Sequence, residues 1–269
     1  MRVQTVLTRR QQAIKFVRGL RARFQGFEGQ SRPVFVLGAQ RSGTNMFMDT
    51  LGRCPGITVY NETDSEAFER YRLKTIGELA PLVERTHTPV AVFKAICDSQ
   101  RAQWLLDAFP DGRVIWLYRH YHDVVNSSLR QFREHRRYLH YILHDRETAN
   151  WRAENLSPGC VELIRFHMDR DITDASARAL IWYLRNQQFW LNGLDGHGDT
   201  LLMGYEQLVQ EADQSWPRVF QFLGLDYEAV WIDSVSSRSV RRYEPPVIDP
   251  LIEVLCRDML NRLSTYSTR

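Results

Sequence analysis

Short runs of apolar residues alternate along this chain with segments in which apolar residues recur at helical spacing. The apolar runs predict five strands, at residues 33–38, 56–60, 89–94, 113–118 and 199–205. Nearly continuous apolar runs are typical of parallel strands that are buried on both faces. The pattern therefore predicts an α/β fold, a three-layer sandwich in which a mainly parallel sheet of about five strands is flanked by helices.

Helices are predicted between the strands and after the last of them, because apolar residues recur there every three or four positions. Residues 65–86 are predicted to be mainly helical, and Ser99 is predicted to cap a helix that ends at Phe109. Three further helices are predicted to begin at Asp174, Ser215 and Asp249.

Two segments depart from this alternation. Residues 3–27 are predicted to form a basic amphipathic helix, within a stretch (residues 1–30) that holds seven Lys/Arg and one acidic residue. This helix either packs on the flank of the protein or contacts an anionic membrane or a partner. Residues 133–173 are rich in arginine, histidine and aromatic residues and are predicted to be an insertion in a single domain of residues 31–269. Three roles are open for the insertion: it covers an anionic or sugar acceptor as a lid, it exposes a solvated helix face, or it binds nucleic acid.

Composition narrows the classes of protein that this chain can belong to. A hydrophobic fraction of 43% in 269 residues excludes disorder as the main state, and no apolar run is long enough to span a membrane or to act as a secretory signal. The net charge of +3 is concentrated in the first 30 residues, so it does not indicate binding to nucleic acid. Four cysteines without a CxxC pair predict reduced thiols in a cytoplasmic protein.

The turn between the first predicted strand and its helix, GAQRSGTN at residues 38–45, carries the sharpest chemical signal. In a parallel sheet such a turn directs backbone N–H groups and a helix N-terminus at one anion. Its glycines have the GxxxxG spacing of a nucleotide-binding P-loop, but Thr44 and Asn45 stand where a triphosphate enzyme has Lys and Ser/Thr. With Arg41 inside the turn, the loop predicts a phosphate site that needs a forked donor and no metal. A purely structural glycine turn is the alternative.

A second anionic group can be bound next to this loop. Arg119 ends the fourth predicted strand, at the sheet edge where ligands bind in such folds. Ser127 follows eight residues later, about two turns into the next helix. Both side chains can therefore approach one second phosphate.

These two segments together resemble the sulfotransferases that use 3′-phosphoadenosine 5′-phosphosulfate (PAPS), which have a P-loop-like fold. GAQRSGT is similar to the 5′-phosphosulfate loop of that family, and the run from VIWLYR to VVNSSL is similar to its 3′-phosphate motif, with Arg119 and Ser127 as ligands. YEQL, followed by FLGL, resembles the segment after the last core strand, which implies that Tyr205 lies near the adenine. The resemblance covers about residues 33–130 and 176–226. It implies a 5′-phosphosulfate site made of Gln40, Arg41, Ser42, Gly43, Thr44 and Asn45.

The resemblance implies transfer of a sulfuryl group from PAPS to a hydroxyl or amine of a small-molecule or glycan acceptor, which leaves adenosine 3′,5′-bisphosphate. Arg41 and Lys94 are expected to stabilise charge on the leaving phosphate and on the sulfonate. Lys94, which ends the third predicted strand, is one of only three lysines among the 35 basic residues. A salt bridge to a nearby carboxylate is its alternative role.

The general base is less well defined by the sequence. Many cytosolic members of the family have a histidine shortly after the lysine, and this chain has Ala-Ile-Cys there. Glu62, just after the second predicted strand, is the first candidate. Its alternative role is that of a carboxylate at a helix start, and Asp64 and His87 are further candidates for the base.

Two other functions stay open from the sequence alone. One is a P-loop kinase of small molecules, which the missing lysine after Gly43 argues against. The other is a non-catalytic member of the fold that binds a nucleotide or a partner. Met46 and Phe47 follow the loop where cytosolic family members often have an aromatic residue, so the residue that stacks on the adenine is left undefined, as is the acceptor.

Overall fold

The computed structural model describes residue 27, residues 29–132 and residues 134–268. The predicted basic helix at residues 3–27 therefore lies, except for its last residue, outside the described residues. In the part of the chain that is described, no helix is long and apolar enough to cross a membrane. All four cysteines are buried, and none of them forms a disulfide in the described structure.

Seven strands form in the described residues. They are β1 (Arg32–Gly38), β2 (Ile57–Tyr60), β3 (Phe68–Glu69), β4 (Arg72–Leu73), β5 (Val90–Lys94), β6 (Arg113–Tyr118) and β7 (Thr200–Gly204). Five of them form one parallel sheet in the order β2-β5-β1-β6-β7, while β3 and β4 form a separate antiparallel hairpin. The sheet strands coincide with the five predicted runs to within a residue or so at either end. The predicted α/β fold with a mainly parallel sheet is confirmed.

Eleven α-helices surround the sheet in the described chain. They are α1 (Thr44–Leu51), α2 (Ile76–Glu84), α3 (Ala102–Ala108), α4 (Tyr121–Leu129), α5 (His135–His144), α6 (Arg146–Ala149), α7 (Pro158–Met168), α8 (Asp174–Leu191), α9 (Tyr205–Gln210), α10 (Ala212–Leu223) and α11 (Pro250–Ser267). Short 3₁₀ helices lie at Ile96–Arg101 and Asn150–Ala153, among other places.

Successive residues of β1 point to opposite faces of the sheet and enter two separate cores. On one face Phe35 stacks on Phe93 of β5, with their ring centroids 5.7 Å apart. Val36 belongs to the core on the other face, where Phe47 of α1 stacks on Trp216 of α10 at 5.3 Å. Burial of one such side chain contributes about 1.5–3 kcal/mol. The strands are apolar on both faces because helices cover both faces.

The sequence-based prediction for residues 65–86 is wrong in its first half. Instead of a helix, the chain forms the β3–β4 hairpin, whose two turn residues Arg70 and Tyr71 have φ of 48° and 68°. Such a turn matches the twist of antiparallel strands. It brings Arg72 onto Asp98 and Glu154, which are distant in sequence. Helix α2 begins only after Thr75.

The helix starts predicted at Ser99 and Ser215 are also wrong, by about three residues, whereas the helix predicted at Asp174 begins there but has a different cap. Ser99 caps no helix, because it lies inside the 3₁₀ helix and binds the backbone of β1. Helix α8 is capped by Thr173, one residue before Asp174. Helix α10 begins at Ala212, and the Ser215 hydroxyl donates to the carbonyl of Gln207 in the preceding helix. The last helix does begin after Asp249, whose carboxylate accepts from the N–H groups of the first turn.

Candidate active site

The loop at residues 38–45 connects β1 to α1 in a conformation that requires its glycines. Gly38 has φ of +131°, and a Cβ there would lie 2.1 Å from the carbonyl oxygen of Leu117 in β6. Gly43 has φ of +85°, and a Cβ there would lie 2.1 Å from Cδ2 of Tyr205. Arg41 also has a positive φ, of 75°. Left-handed backbone at a non-glycine residue is strained and is typical of functional turns.

Two side chains from distant elements hold the loop in place, and the sequence analysis predicted neither of these contacts. The Gly38 N–H donates to the hydroxyl of Ser99, 2.9 Å away in the 3₁₀ helix after β5. From α8, the Arg178 guanidinium donates to the Gln40 carbonyl at 2.9 Å and to the Ser128 hydroxyl at 2.8 Å. Arg178 and Arg185 are seven residues apart and therefore lie on one face of α8. This spacing is the feature of the sequence that could have indicated a role for Arg178.

Several polar groups of the loop are arranged as an anion site. Gly43 is the N-cap of α1 and offers no side-chain acceptor to the N–H groups of the first helical turn. The Ser42 hydroxyl is buried without a hydrogen-bond partner in the described structure. An anion at a helix N-terminus satisfies such donors and is stabilised by the helix dipole. The residues at the loop thus fit a phosphate or phosphosulfate group.

The predicted second phosphate motif lies against this loop. The Arg41 guanidinium donates to the Ser127 hydroxyl at 2.9 Å. The Arg119 guanidinium stacks on the ring of Tyr205, 4.4 Å from its centroid, and the same ring lies against Gly43. Burial, together with the nearby charges of Arg119 and Arg130, lowers the pKa of Arg41 below its usual value. The structure therefore brings Arg41, Ser127, Arg119 and Tyr205, four of the predicted ligands, into one positively charged site.

A loop that the sequence reasoning missed completes this end of the site. Arg119 donates to the Ser239 carbonyl at 2.5 Å and forms an ion pair with Asp123 at 3.1 Å. The Ser239 hydroxyl is also 2.5 Å from the hydroxyl of Tyr205, and Asp123 accepts from the Arg241 N–H at 3.0 Å. The one available signal was the basic run SRSVRR, which is typical of an anion-binding loop.

A second cluster of polar contacts lies at the other end of the loop. The Lys94 ammonium, at the end of β5, donates to Glu62 at 2.6 Å and to Asn45 at 2.7 Å. The side chains of Lys94 and Glu62 are only 11% and 20% exposed. The salt bridge predicted as the alternative role of Lys94 is present, and its partner is the candidate base itself. Catalytic and structural roles of this lysine are thus compatible.

The other candidate bases lie elsewhere. The Asp64 carboxylate accepts from the Asn61 N–H at 2.5 Å and closes a turn. His87 is exposed and precedes β5, whereas Lys94 ends that strand. Strand β5, from Val90 to Lys94, spans about 13 Å, so His87 and Lys94 lie at opposite edges of the sheet. Glu62 is therefore the candidate that faces Lys94.

The residues after the loop divide between the core and the site. Phe47 is fully buried against Trp216, so its ring is part of the core and cannot stack on an adenine. Met46 is half-buried. Tyr205, wedged between Gly43 and Arg119, is the aromatic ring that the fold presents to this end of the site.

A cavity of about 130 Å³ opens beside the loop, between α8 and helices of the predicted insertion. Leu139 and Ile142 of α5 and Ile164 of α7 pack into the same core as one face of the sheet, so the insertion is anchored. Arg72 of the hairpin binds both oxygens of Glu154, at 2.8 Å and 2.9 Å, and ties the insertion down from the other side. The insertion thus packs on the sheet core and lines one side of the cavity beside the loop. In the described ranges no three His, Cys, Asp or Glu side chains converge as they would around a metal ion.

Comparison with known proteins assigns the chain to a family. The family model for the sulfotransferase domain matches residues 31–242. No curated protein sequence is significantly similar to the chain. The solved sulfotransferase domain from the curacin biosynthetic pathway is similar in structure, with a TM-score of 0.54 and 13% identity over 87% of this chain and 98% of that chain. At this level of identity the likeness shows the fold.

Two further solved structures are more distantly similar. The sulfotransferase domain of the Synechococcus PCC 7002 olefin synthase has a TM-score of 0.46 and 16% identity, over 89% of this chain and 96% of that chain. The mouse sulfotransferase SULT7A1, complexed with PAP, has a TM-score of 0.41 and 15% identity, over 90% of this chain and 82% of that chain.

Proposed function

The chain belongs to the sulfotransferase domain family, and we propose that it transfers the sulfuryl group of PAPS to a hydroxyl or amine of a small acceptor. The observation that carries this proposal is the meeting of two anion-binding segments around one aromatic ring. Arg41 contacts Ser127, while Arg119 and the glycine turn flank Tyr205. A nucleotide with phosphates at two positions of one ribose can engage both segments at once.

The residues of the two segments would divide the donor between them. The loop N–H groups, with the buried hydroxyl of Ser42, would bind the 5′-phosphosulfate, and Thr44 begins the helix whose dipole faces it. Arg119 and Ser127 would bind the 3′-phosphate, and a buried Nε of Arg119 has no partner in the described structure. Arg41 bridges the two groups, because its forked guanidinium already contacts Ser127.

PAPS supplies the sulfuryl group, and the protein supplies charge and a base. As the acceptor oxygen bonds to sulfur, the bond between sulfur and the bridging oxygen breaks and its electron pair passes to the leaving phosphate. Lys94, held between Asn45 and Glu62, is positioned to stabilise the negative charge that grows on that oxygen. Glu62 would take the proton that the acceptor hydroxyl loses.

The two alternative functions have less support. Thr44 and Asn45 in place of Lys and Ser/Thr leave the loop without the usual γ-phosphate lysine, and family membership also argues against a kinase. In a non-catalytic member the Lys94–Glu62 pair, held at 2.6 Å beside the loop, would serve only as a salt bridge.

Calorimetry with adenosine 3′,5′-bisphosphate tests the proposal most directly. We expect the wild-type protein to bind it and Arg119→Ala to bind it far more weakly, because an ionic hydrogen bond contributes about 1.5–3 kcal/mol. Arg137→Ala is the matched control, since that guanidinium is exposed and pairs with Glu134 on α5. Absence of binding at high micromolar ligand would reject PAPS as the donor, and stronger thermal stabilisation by Mg-ATP would favour a kinase.

A further inference from the structure

The cavity beside the loop is small and mostly apolar. Its apolar walls come from both the insertion and α8, and include Phe132, Tyr138, Ile142, Trp151, Ile181 and Leu184. Its volume of about 130 Å³ is close to that of protein cavities of about 150 Å³ that hold one benzene-sized ring. Because the walls are apolar, a sugar would leave most of its hydroxyls without partners. The cavity therefore fits a single ring or a short carbon chain.

The charged groups at this cavity are unbalanced. Four guanidinium groups line it, those of Arg41, Arg152, Arg178 and Arg185, against the single carboxylate of Glu154. Both oxygens of Glu154 are already bound by Arg72, which lies outside the cavity lining. Among the described residues, the last three of the four arginines have no ion pair with any carboxylate. A buried cation without a counter-ion is costly, so the site is built to receive an anion.

Unsatisfied donors at the same cavity support this reading of the charge. Nη1 of Arg178 and Nε of Arg185 are buried without a partner in the described structure, and the residues are only 3% and 7% exposed. Nε2 of His135, 4% exposed, is also without one. Burial lowers the pKa of His135 to about 4, so this ring is neutral at pH 7, whereas the two arginines, with pKa values lowered to about 9 and about 10, stay charged.

Two of the four arginines form a distinct subsite away from the loop. The guanidinium groups of Arg152 and Arg185 lie 4.4 Å and 4.8 Å from the centroid of the same indole, that of Trp151. The indole holds both guanidinium groups in place without neutralising their charge. Arg41 and Arg178, by contrast, contact the loop and its surroundings. The cavity is therefore lined on one side by two arginines on Trp151 and on another by Gln40 and Arg41 of the loop that we assign to the 5′-phosphosulfate.

We infer that the acceptor is a small hydroxy acid, whose apolar ring or short chain fills the cavity. This inference rests on the proposed function. The carboxylate of the acid binds to Arg152 and Arg185 on Trp151, and its hydroxyl points towards Gln40 and Arg41, the residues of the glycine loop that line the cavity. Planar carboxylates match the guanidinium fork, and desolvation in an apolar cavity strengthens the contact. A neutral phenol of the same size leaves both arginines unpaired and is selected against.

Calorimetry with matched probes tests this inference. The carboxylate probes are para- and meta-hydroxybenzoate, and the neutral probes are the corresponding hydroxybenzamides, each titrated into wild-type protein saturated with adenosine 3′,5′-bisphosphate. We expect at least one carboxylate to bind about 10- to 100-fold more tightly than its amide, as one or two charge-assisted hydrogen bonds allow. Equal binding of each acid and its amide would overturn the inference.

Variants locate the anion subsite and separate it from folding defects. Arg152→Gln should remove most of the preference for the carboxylate. In the described structure its guanidinium contacts the rings of Tyr138 and Trp151 but makes no hydrogen bond, so the loss of stability should be small. Arg185→Gln should act in the same direction but also loses bonds to Gln100 and Ile96, so its melting temperature is measured alongside. Arg165→Gln, whose exposed guanidinium pairs with Glu162 on α7, is the control and should retain the preference.

The two proposals fail in different ways in this experiment. If the bisphosphate binds but acids and amides bind equally, the proposed function stands and the hydroxy-acid acceptor is wrong. If the bisphosphate fails to bind while the carboxylates still bind through Arg152, the anion subsite stands and the PAPS donor is wrong. An unchanged carboxylate preference in both Arg152→Gln and Arg185→Gln would overturn the assignment of the subsite.

Discussion

Gly43 is the position at which a single methyl group should disable the site. In Gly43→Ala the added Cβ would lie 2.1 Å from Cδ2 and 2.5 Å from Cε2 of Tyr205, so the ring must move. The ring is held by the guanidinium of Arg119 at 4.4 Å and by the hydroxyl of Ser239 at 2.5 Å. Any movement that relieves the overlap therefore also disturbs the arginine assigned to the 3′-phosphate.

The cost of this substitution has three parts. Alanine at a φ of +85° costs about 1–2 kcal/mol. Loss of the contact between Arg119 and the Tyr205 ring costs about 0.5–2 kcal/mol, and loss of the Tyr205 hydrogen bond about 0.5–1.5 kcal/mol. Together these losses amount to roughly 2–5 kcal/mol, at or below the 5–15 kcal/mol by which domains are usually stable. We therefore expect a folded but weakened protein.

Urea denaturation and calorimetry with adenosine 3′,5′-bisphosphate measure the two consequences. The variant should unfold at lower urea, and its affinity for the bisphosphate should fall by about tenfold or more, since each 1.4 kcal/mol is a factor of ten. Gly77→Ala is the matched control. Nothing lies within 4 Å of its Cβ, and its position in α2 favours alanine by about 0.5–1 kcal/mol.

A double variant distinguishes the overlap from a general effect on the loop. Tyr205→Ala alone removes the ring, so adding Gly43→Ala to it should cost only the backbone strain. The two substitutions should thus be strongly non-additive. Wild-type stability and affinity in Gly43→Ala, or simple additivity in the double variant, would refute the placement of Tyr205 against the glycine turn.

The remaining predictions concern the reaction centre and pH. Lys94→Ala should lower the rate of sulfuryl transfer from radiolabelled PAPS by about 10²–10³-fold, and Glu62→Gln should lower it by about 10²–10⁴-fold. Calorimetry should show that both variants still bind the bisphosphate. Turnover that survives both changes would contradict the assigned roles. Burial, and to a smaller extent the nearby charge of Arg178, lowers the pKa of His135 from 6.5 to about 4. Between pH 6.5 and pH 4 the unfolded chain therefore binds a proton at this residue that the folded protein does not bind. Stability to urea should therefore fall as the pH decreases from 6.5 to 4, and less steeply in His135→Gln; parallel curves for the two proteins would show that His135 does not contribute.

The elements of the sheet follow from local sequence, because a strand covered on both faces must be apolar at nearly every position. The same holds for the glycine turn, because the positive φ angles at Gly38 and Gly43 favour glycine. Arg119 and Lys94 were predictable as candidate site residues because parallel strands place their carboxyl ends at one edge. Position along a strand, the scarcity of lysine and the family resemblance together were enough to propose them.

Contacts between distant parts of the chain decided the rest. Residues 65–73 became a hairpin because Arg72 binds Asp98 and Glu154, and this ionic network outweighs a weak local preference for helix. The role of Glu62 beside Lys94, the clamp of Arg178 on the loop and the closure by Ser239 each join residues more than 30 positions apart. No local pattern encodes such pairs.

The sequence by itself therefore determined the sheet, the anion-binding turn and the edge at which chemistry takes place, since these depend on periodicity and on backbone conformation. The tertiary structure alone decided which carboxylate faces the lysine and which arginines are left without counter-ions beside the loop. The physical reason is that the charge balance of a buried site depends on every side chain that the fold brings within a few ångströms, whatever its place along the chain.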